Sequence, residues 1–586
     1  MKELQYLNPY FSKYKLHFLS GIIITIVAQI FMLYTPELIG DSIAALEKYV
    51  KSGDQDIQKI KSLLVENVLW IIVTTFIAGI LTFLMRQTLI VMSRHVEYDL
   101  KNEVFNQYEK LTQNFYKLNR TGDLMNRISE DVGRVRMYVG PAVMYTINTI
   151  IRFAIVIYYM IRVSPELTLY SLLPLPVLAY FIFKISTEIN KKSTLFQENL
   201  SALSSFTQEI FSGIRVIKAY SIEGKKQHDF ENLSQDSKYK SLKLAKVSAL
   251  FGPLMLLLIG TSNLLVIFLG GMMYINGSIS DIGVFAKFIL YINMLVWPVA
   301  SIGWVSSLIQ EAEASQKRIN EFLKIEPEIK NENLNPMVFE GNIQFDNVTL
   351  VYQDTHIKAL DNVSFSVNKG ETLAIIGRTG SGKSTIISLI SRFYDPTSGA
   401  ITIDNVKLPD ANLNSLRNAV GVVPQDAFLF SDSISNNIKF GKHDATQDEV
   451  INASKNADVH HNIMAFKNQY ETILGERGIT LSGGQKQRVT IARAIIKNPK
   501  ILLLDDCLSA VDTETEENIL NNLETVSKGK TTIIVSHRVS SAKNADKIII
   551  LDQGRIIQQG THNQLLNQNG YYQDLYLKQI AEKEMK

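Results

Sequence analysis

The first half of this 586-residue chain contains long, almost uncharged apolar stretches. A helix needs about 20 such residues to cross the roughly 30 Å hydrocarbon layer of a membrane. Because lipid cannot satisfy backbone hydrogen bonds, an apolar stretch of this length spans a membrane as a helix. We therefore predict an all-α transmembrane domain over residues 1–318, with six spans at about 16–36, 64–85, 138–161, 166–187, 250–275 and 282–308.

The charges of the connecting segments predict how these spans are oriented. Two long polar connectors, 94–137 and 188–246, are rich in Lys and Arg, whereas the 276–281 turn has no basic residue. Basic connectors remain on the cytoplasmic side of a membrane. We therefore expect a multi-pass protein of the cytoplasmic (inner) membrane, with both long connectors and both termini in the cytoplasm. The N-terminus lacks the pattern of a cleaved signal peptide.

Composition and isolated charges narrow the function further. Lys plus Arg number 60 and Asp plus Glu 57, a balance that gives no indication of a nucleic-acid partner. Arg86, Arg152 and Lys287 lie in or near the predicted spans. A charge inside a membrane is by default a functional candidate. Arg152 is the deepest and is the best candidate to line a pathway, with pairing inside the helix bundle as the alternative; Lys287 can extend to the interface.

The second half has the pattern of a soluble α/β domain. A polar linker, 319–341, precedes short β-branched strands, and we predict an α/β P-loop NTPase domain over 342–586. An apolar strand at 372–376 leads into GRTGSGKST and then into a helical pattern, which matches the phosphate-binding loop G-x-x-x-x-G-K-[ST]. Its backbone N–H groups and helix N-terminus favour phosphate. The predicted ATP-binding residues are Gly377, Arg378, Thr379, Gly380, Ser381, Gly382, Lys383, Ser384 and Thr385.

Four positions have individual roles that fit the chemistry of an ATP site. In such a loop the lysine neutralises the β/γ-phosphate oxygens, and Ser384 can ligate Mg²⁺. Asp505 ends the apolar run 501–504, where a second buried strand would deliver a Mg²⁺-positioning acid. Tyr352 precedes the loop by about 25 residues at a predicted strand end, where it can stack on adenine or simply pack.

Residues 481–488, LSGGQKQR, lie between the phosphate-binding loop and the acidic strand. This segment is similar to the signature of the ATP-binding cassette (ABC) family, and the whole chain resembles an exporter half-transporter, with six spans fused to one cassette. The resemblance implies a dimer in which each ATP is bound by the phosphate-binding loop of one cassette and the signature of the other. The signature residues that would act on the partner's ATP are Leu481, Ser482, Gly483, Gly484 and Gln485.

The resemblance also assigns roles to positions that the residues alone do not identify. Gln425 resembles the Q-loop glutamine that contacts Mg²⁺ and the attacking water, and His537 resembles the switch histidine that holds the γ-phosphate. Segments that resemble other exporter elements are the D-loop with Asp512 facing the partner cassette, the X-loop at 475–478, the segment of the first coupling helix at 115–132 and the segment after the second at 212–220.

Asp506 is the position where the chain departs from the family pattern. The family has Glu there to polarise the attacking water, and Asp is shorter by one methylene, about 1.5 Å. A misplacement of about 1 Å can cost on the order of 10²-fold in rate. We therefore expect a site that binds ATP well and hydrolyses it slowly. This combination resembles the subunit with the weak site in heterodimeric multidrug exporters; a homodimer with two Asp sites is the alternative.

The leading prediction is ATP- and Mg²⁺-dependent export of a small amphipathic substrate by a dimer embedded in the lipid bilayer. Amphipathic drugs are favoured first, lipids second, and peptides or siderophores third. The sequence shows no N-terminal peptidase domain, which argues against coupled processing of a secreted peptide. The alternatives are a homodimeric lipid or peptide exporter and an ATP-gated regulatory or channel-like protein. The substrate itself cannot be deduced, since pathway residues and lipid-facing residues are both apolar.

Overall fold

The computed structural model describes residues 2–52, 57–475, 478–508 and 513–584. The chain divides into two compact units. The first comprises Met1–Lys110 and Arg120–Ile325, and the second comprises Leu111–Asn119 and Glu326–Lys586. The short segment Leu111–Asn119 therefore packs with the second unit, although the sequence of the first unit surrounds it.

The described residues of the first unit are helical and contain no strand. A 3₁₀ turn at Glu3–Leu7 comes first, and π-helical turns at Arg127–Asp131 and Tyr138–Ala142 link consecutive α-helices. The helices up to residue 323, of which α4 belongs to the second unit, are α1 (Asn8–Lys13), α2 (Lys15–Ser52), α3 (Ile57–Lys110), α4 (Gln113–Leu118), α5 (Thr121–Asn126), α6 (Val132–Met137), α7 (Val143–Val163), α8 (Pro165–Leu172), α9 (Pro174–Ser212), α10 (Ile214–Tyr220), α11 (Glu223–Ala249), α12 (Phe251–Ile275) and α13 (Gly283–Leu323).

Five helical stretches in the described residues are long and apolar enough to cross a membrane. They are Lys15–Ser52, Ile57–Lys110, Thr121–Val163, Glu223–Ile275 and Gly283–Leu323, and they contain five of the six predicted spans. The fourth predicted span, 166–187, instead covers α8 and the start of α9, which are divided at Leu173. Pro174 lacks an N–H and so cannot continue the hydrogen-bond ladder of α8, but it suits the first turn of a new helix. The predicted count of six is therefore not matched exactly.

Several of these helices continue far beyond the thickness of a membrane. Ile57–Lys110 has 54 residues. At about 1.5 Å per residue it is roughly 80 Å long, against a hydrocarbon layer of about 30 Å. Part of each polar connector is thus a helical extension of an apolar span, as at the ends of α3 and α9.

Helices α2 and α13 approach closely at two glycines. A Cβ at Gly283 would lie 2.1 Å from the carbonyl oxygen of Gly40, and a Cβ at Gly40 would meet the Lys287 side chain at 2.3 Å. The Lys287 ammonium lies 2.6 Å from a Glu37 carboxylate oxygen and 2.7 Å from one of Asp41. This charge is therefore held between two acidic side chains of α2, and the small residues permit that approach.

The second unit contains two sheets. A six-stranded sheet has the order β10-β9-β3-β8-β7-β6, parallel except for β10, and a four-stranded antiparallel sheet has the order β2-β1-β4-β5. The strands are β1 (Ile343–Val351), β2 (Lys358–Val367), β3 (Thr372–Gly377), β4 (Ser398–Ile403), β5 (Val406–Lys407), β6 (Val420–Val423), β7 (Ile501–Asp505), β8 (Thr531–Ser536), β9 (Lys547–Asp552) and β10 (Arg555–Gly560).

Helices cover the six-stranded sheet, whose central strands are buried along nearly their whole length. Strand β7 is buried at every position, and β3 at all but its first, which is the pattern of a parallel sheet covered on both faces. The helices are α14 (Lys383–Ile390), α15 (Leu413–Ala419), α16 (Ile434–Lys439), α17 (Gln447–Asn456), α18 (His460–Met464), α19 (Gly483–Ile496), α20 (Thr513–Ser527), α21 (His562–Leu566) and α22 (Tyr571–Glu584). The fold is thus a helical domain followed by an α/β domain, as predicted.

Candidate active site

The predicted phosphate-binding residues form the loop between β3 and the start of α14. Gly382 has φ +101°, in the left-handed region, and a Cβ there would lie 2.3 Å from the carbonyl oxygen of Ala359, so only glycine fits. Lys383 begins α14, and its Nζ donates to the carbonyl oxygens of Gly377 and Arg378, both at 2.8 Å. The lysine therefore curls back over a loop whose backbone N–H groups can bind phosphate.

Two of the three predicted Mg²⁺ ligands lie side by side. Ser384 Oγ, in the first turn of α14, donates to Asp505 Oδ1 at the end of β7, at 2.9 Å. Hydroxyl and carboxylate oxygens are the hard donors that Mg²⁺ prefers, so this pair fits the ion. The Gln425 side chain is exposed and, among the described residues, makes no hydrogen bond with Ser384 or Asp505. The backbone carbonyl oxygen of Gln425 accepts a hydrogen bond from the side-chain amide of Gln487.

Asp506 follows β7 in an uncommon backbone conformation. Its φ is +43°, and its N–H donates to the Val535 carbonyl oxygen at 2.9 Å. Burial raises the pKa of Asp506, and the electrostatic influence of His537 and, to a smaller extent, of Lys383 opposes this rise. Burial also raises the pKa of Asp505. Burial lowers the pKa of Lys383, which the two carboxylates oppose. Each buried charge thus has opposite charges nearby.

Tyr352 lies beside the phosphate-binding loop, directly after β1. Its hydroxyl is 3.0 Å from Thr385 Oγ1, and its ring meets that of Tyr394 edge to face at 5.3 Å. The ammonium of Lys117, from the short helix α4 of the same unit, lies 5.1 Å from the Tyr352 ring centroid and 5.0 Å from that of Tyr394. Lys117 could not be predicted from the sequence, because no local pattern relates residues 235 positions apart. Tyr352 as the adenine-stacking residue stays a prediction.

The signature segment begins α19. Ser482 and Gln485 form a capping box: the Gln485 N–H donates to Ser482 Oγ at 3.3 Å, and the Ser482 N–H donates to Gln485 Oε1 at 3.0 Å. Ser482 and Gly483 are exposed. Within the described part of this chain no hydrogen bond joins residues 481–485 to residues 377–385. The segment therefore presents a capped, exposed helix N-terminus, where an anion is favoured.

His537 follows β8. This strand lies between β3, which leads into the phosphate-binding loop, and β7, which ends at Asp505 next to Asp506. Two residues that are distant in the sequence, Gln579 and Glu516, hold the chain around His537. Gln579 Nε2 donates to the His537 carbonyl oxygen at 3.0 Å, and the nearly fully buried Glu516 pairs with Arg538. Neither has a local sequence signal. Asp512 and residues 476–477 of the predicted X-loop lie outside the described residues.

In the first unit, Arg152 lies at a cavity of about 280 Å³. Arg152 Nε donates to Gln29 Oε1 at 2.8 Å, and Gln29 Nε2 donates to Asn148 Oδ1 at 3.1 Å, which links α7 to α2. The cavity lining also includes Arg86 and Trp297. Among the described residues, neither arginine forms an ion pair with a carboxylate. The cavity is therefore polar, basic and partly aromatic.

Sequence models of two families match the two halves of the chain. Residues 18–299 match the ABC transporter transmembrane region, and residues 360–509 match the ABC transporter domain. These ranges contain four of the predicted spans in full and parts of the other two. They also contain the phosphate-binding loop, the signature, Asp505 and Asp506.

Full-length relatives and solved structures are also similar. The chain is 35% identical to the multidrug resistance-like ATP-binding protein MdlA of Escherichia coli (strain K12) over 99% of this chain and 97% of that one. It is 34% identical to an ATP-dependent lipid A-core flippase of Syntrophus aciditrophicus (strain SB), over 84% and 82%. A bacterial Atm1-family ABC exporter with ATP bound superimposes with a TM-score of 0.79 at 25% identity, covering 96% of this chain and 98% of that one.

Proposed function

Because the chain belongs to the ABC transporter family and is an ATP-hydrolysing exporter, we propose that it moves an amphipathic, drug-like or lipid-like substrate outward across the cytoplasmic membrane. ABC exporters work as dimers in a membrane, and we propose a second half-transporter as the partner. The observation that best supports this proposal is the Ser384–Asp505 hydrogen bond, because it joins the phosphate-binding loop to the end of β7 at one edge of the sheet.

The residues of this edge divide the work on ATP between them. The loop N–H groups and Lys383 bind the β- and γ-phosphates. Ser384 and Asp505, with Gln425, would hold Mg²⁺, which when bound neutralises charge that develops on the phosphate oxygens. Asp506 accepts a hydrogen bond from the attacking water and aligns it, and His537 donates to the γ-phosphate. The exposed signature of each chain completes the site of the other, so closure on ATP couples the two halves.

We propose a slow site in this chain and a heterodimer with a faster partner. The shorter side chain of Asp506 retracts the carboxylate, while the signature that the partner would use is intact and capped. A homodimer with two Asp506 sites remains the second candidate, and the flippase relative, by its name, acts on a lipid.

The polar cavity supports an amphipathic substrate. Two guanidinium groups and a tryptophan line about 280 Å³, so the cavity can accept a molecule with both an apolar body and a polar or anionic group. Its bearing on transport is testable, because none of these side chains contributes to ATP binding. The predicted orientation has both termini and the α/β domain in the cytoplasm.

The test is ATP-dependent uptake into inside-out vesicles that contain the purified chain, alone and with a co-expressed half-transporter carrying Glu after its Mg²⁺-binding acid. A panel of amphipathic dyes and labelled lipids serves as substrate, and Lys383→Ala is the matched inactive variant. Export predicts saturable, ATP-dependent accumulation that Lys383→Ala abolishes. ATP-gated ion flux without accumulation would instead establish the channel-like alternative.

A further inference from the structure

The chain around His537 is clamped by one side chain of the C-terminal helix. The Gln579 carboxamide donates from Nε2 to the His537 carbonyl oxygen at 3.0 Å and accepts at Oε1 from the Val539 N–H at 2.8 Å. A carbonyl can only accept and a backbone N–H can only donate, so both atoms of the amide have a defined role. Gln579 therefore fixes two backbone groups that bracket Arg538.

Glu516 of α20 holds the same segment further along the chain. Only 2% of this residue is exposed, yet it carries a carboxylate. Oε2 pairs with the Arg538 guanidinium, and Oε1 accepts from Ser540 Oγ at 3.0 Å and from Ser541 Oγ at 2.7 Å. Three donors on one buried carboxylate make an expensive burial tolerable and define a single arrangement of the segment.

The helix that supplies Gln579 is itself firmly anchored. Tyr572, in its first turn, is fully buried, packs in the core that includes Val539 and Ala542, and its hydroxyl is 2.6 Å from His562 Nδ1. Tyr572 and Gln579 belong to the same helix, α22. A displacement of α22 therefore moves the backbone of residues 537–541, the switch segment. On its other side that backbone adjoins the hydrolytic site, because the Asp506 N–H donates at 2.9 Å to the carbonyl oxygen of Val535, two residues before His537.

We propose that Gln579 is a positioning residue for ATP hydrolysis, which keeps the His537 ring and the Asp506 carboxylate in reacting geometry by holding the backbone between them. The C-terminal helix α22 is then part of the hydrolytic machinery rather than a cap on the sheet. This inference rests on the proposed role of His537 at the γ-phosphate. Gln579 acts on the hydrolytic step. ATP binding depends on the phosphate-binding loop, so a change at Gln579 leaves ATP binding unaffected.

The experiment compares Gln579→Ala with Gln573→Ala in the purified full-length transporter in lipid nanodiscs. Gln573 is a matched control, because it is a glutamine of the same helix whose Nε2 donates to the Leu566 carbonyl oxygen at 2.9 Å, away from the switch segment. We measure kcat and KM for ATP, equilibrium binding of a fluorescent ATP analogue, and thermal unfolding. Gln579→Ala should lower kcat about 10- to 100-fold, the effect of a displacement of about 1 Å, with unchanged ATP binding. Gln573→Ala should retain the wild-type kcat.

Two further variants keep the test decisive. Gln579→Glu retains the acceptor for Val539 but loses the donor to His537, so its kcat should fall between wild type and Gln579→Ala; it also decides the matter if Gln579→Ala does not fold. A wild-type kcat in both Gln579 variants would show that Gln579 is not a positioning residue. The same conclusion follows if Gln573→Ala loses as much kcat as Gln579→Ala. If His537→Ala keeps the wild-type kcat, the proposed role of His537 fails and the clamp fails with it. If only His537→Ala loses activity, the role of His537 stands and the clamp alone is wrong.

Discussion

Replacing Asp506 by glutamate tests whether a short side chain makes this site slow. The substitution Asp506→Glu extends the carboxylate by about 1.5 Å toward the water that attacks the γ-phosphate. A misplacement of about 1 Å costs on the order of 10²-fold in rate, so full restoration of the geometry would raise kcat by about that factor. The basicity of the carboxylate changes little, so the gain is attributed to position.

The backbone at this position opposes part of that gain. Asp506 has φ +43°, a conformation that Asp adopts more readily than Glu. A cost of about 1 kcal/mol in the left-handed region corresponds to roughly a fivefold loss if it is felt only in the reacting state. We therefore expect Asp506→Glu to raise kcat by about 10- to 100-fold and to lower the free energy of unfolding by at most about 1 kcal/mol.

The assay is steady-state ATP hydrolysis by the full-length chain in lipid nanodiscs, with equilibrium ATP binding and thermal unfolding measured on the same samples. Asp505→Asn serves as the control in both backgrounds, because loss of the Mg²⁺-positioning acid should abolish hydrolysis whichever residue follows it. An unchanged kcat in Asp506→Glu, with ATP binding intact, would refute the argument from side-chain length. The favoured heterodimer would then lose its main support.

The remaining predictions concern adenine binding, the membrane cavity, the core and pH. Tyr352→Ala should weaken ATP binding by about 1–3 kcal/mol, whereas Tyr352→Phe should retain most of it, in a fluorescence titration. Arg152→Ala should reduce vesicle uptake of anionic amphiphiles more than of neutral ones while basal ATP hydrolysis persists; equal effects on both would exclude a role in charge selection. Leu503→Ala, in the fully buried β7, should lower the free energy of unfolding by about 2–5 kcal/mol, against less than about 0.5 for the exposed Leu577→Ala, in urea titrations. Because burial raises the pKa of Asp506, hydrolysis should decline on acidification at a higher pH than an exposed Asp would give, and a kcat profile independent of pH on the acid side would contradict this.

Much of the ATP site could be predicted because its chemistry depends on short, contiguous patterns. The spacing of glycines specifies a loop that only glycine fits, as the close approach at Gly382 illustrates. The apolar run before Asp505 specifies a buried strand, and parallel strands bring their carboxyl ends to one edge, where Ser384 meets that acid. Such local patterns predict the contact between Ser384 and Asp505, 121 residues apart, because a parallel sheet of this fold class places the ends of β3 and β7 at the same edge.

Local patterns were less informative about the helices of the membrane half. Hydropathy identified the apolar stretches, but 166–187 is divided between two helices, where prolines outweigh an apolar composition. Hydropathy also treats Arg152 as a lone charge, although a glutamine of another helix accepts its hydrogen bond. Partners of this sort are chosen by helix packing, which a one-dimensional profile does not contain.

By itself, the sequence determined the class of the protein, its ATP chemistry and the anomaly at Asp506, because each is encoded in residues adjacent in the chain. Only the tertiary structure decided what holds those residues in place: Gln579 and Glu516 around the switch histidine, and Lys117 against Tyr352. Glutamine, glutamate and lysine occur at many helical surfaces, and their chemistry becomes specific only when folding sets a backbone carbonyl, a guanidinium or an aromatic ring within reach.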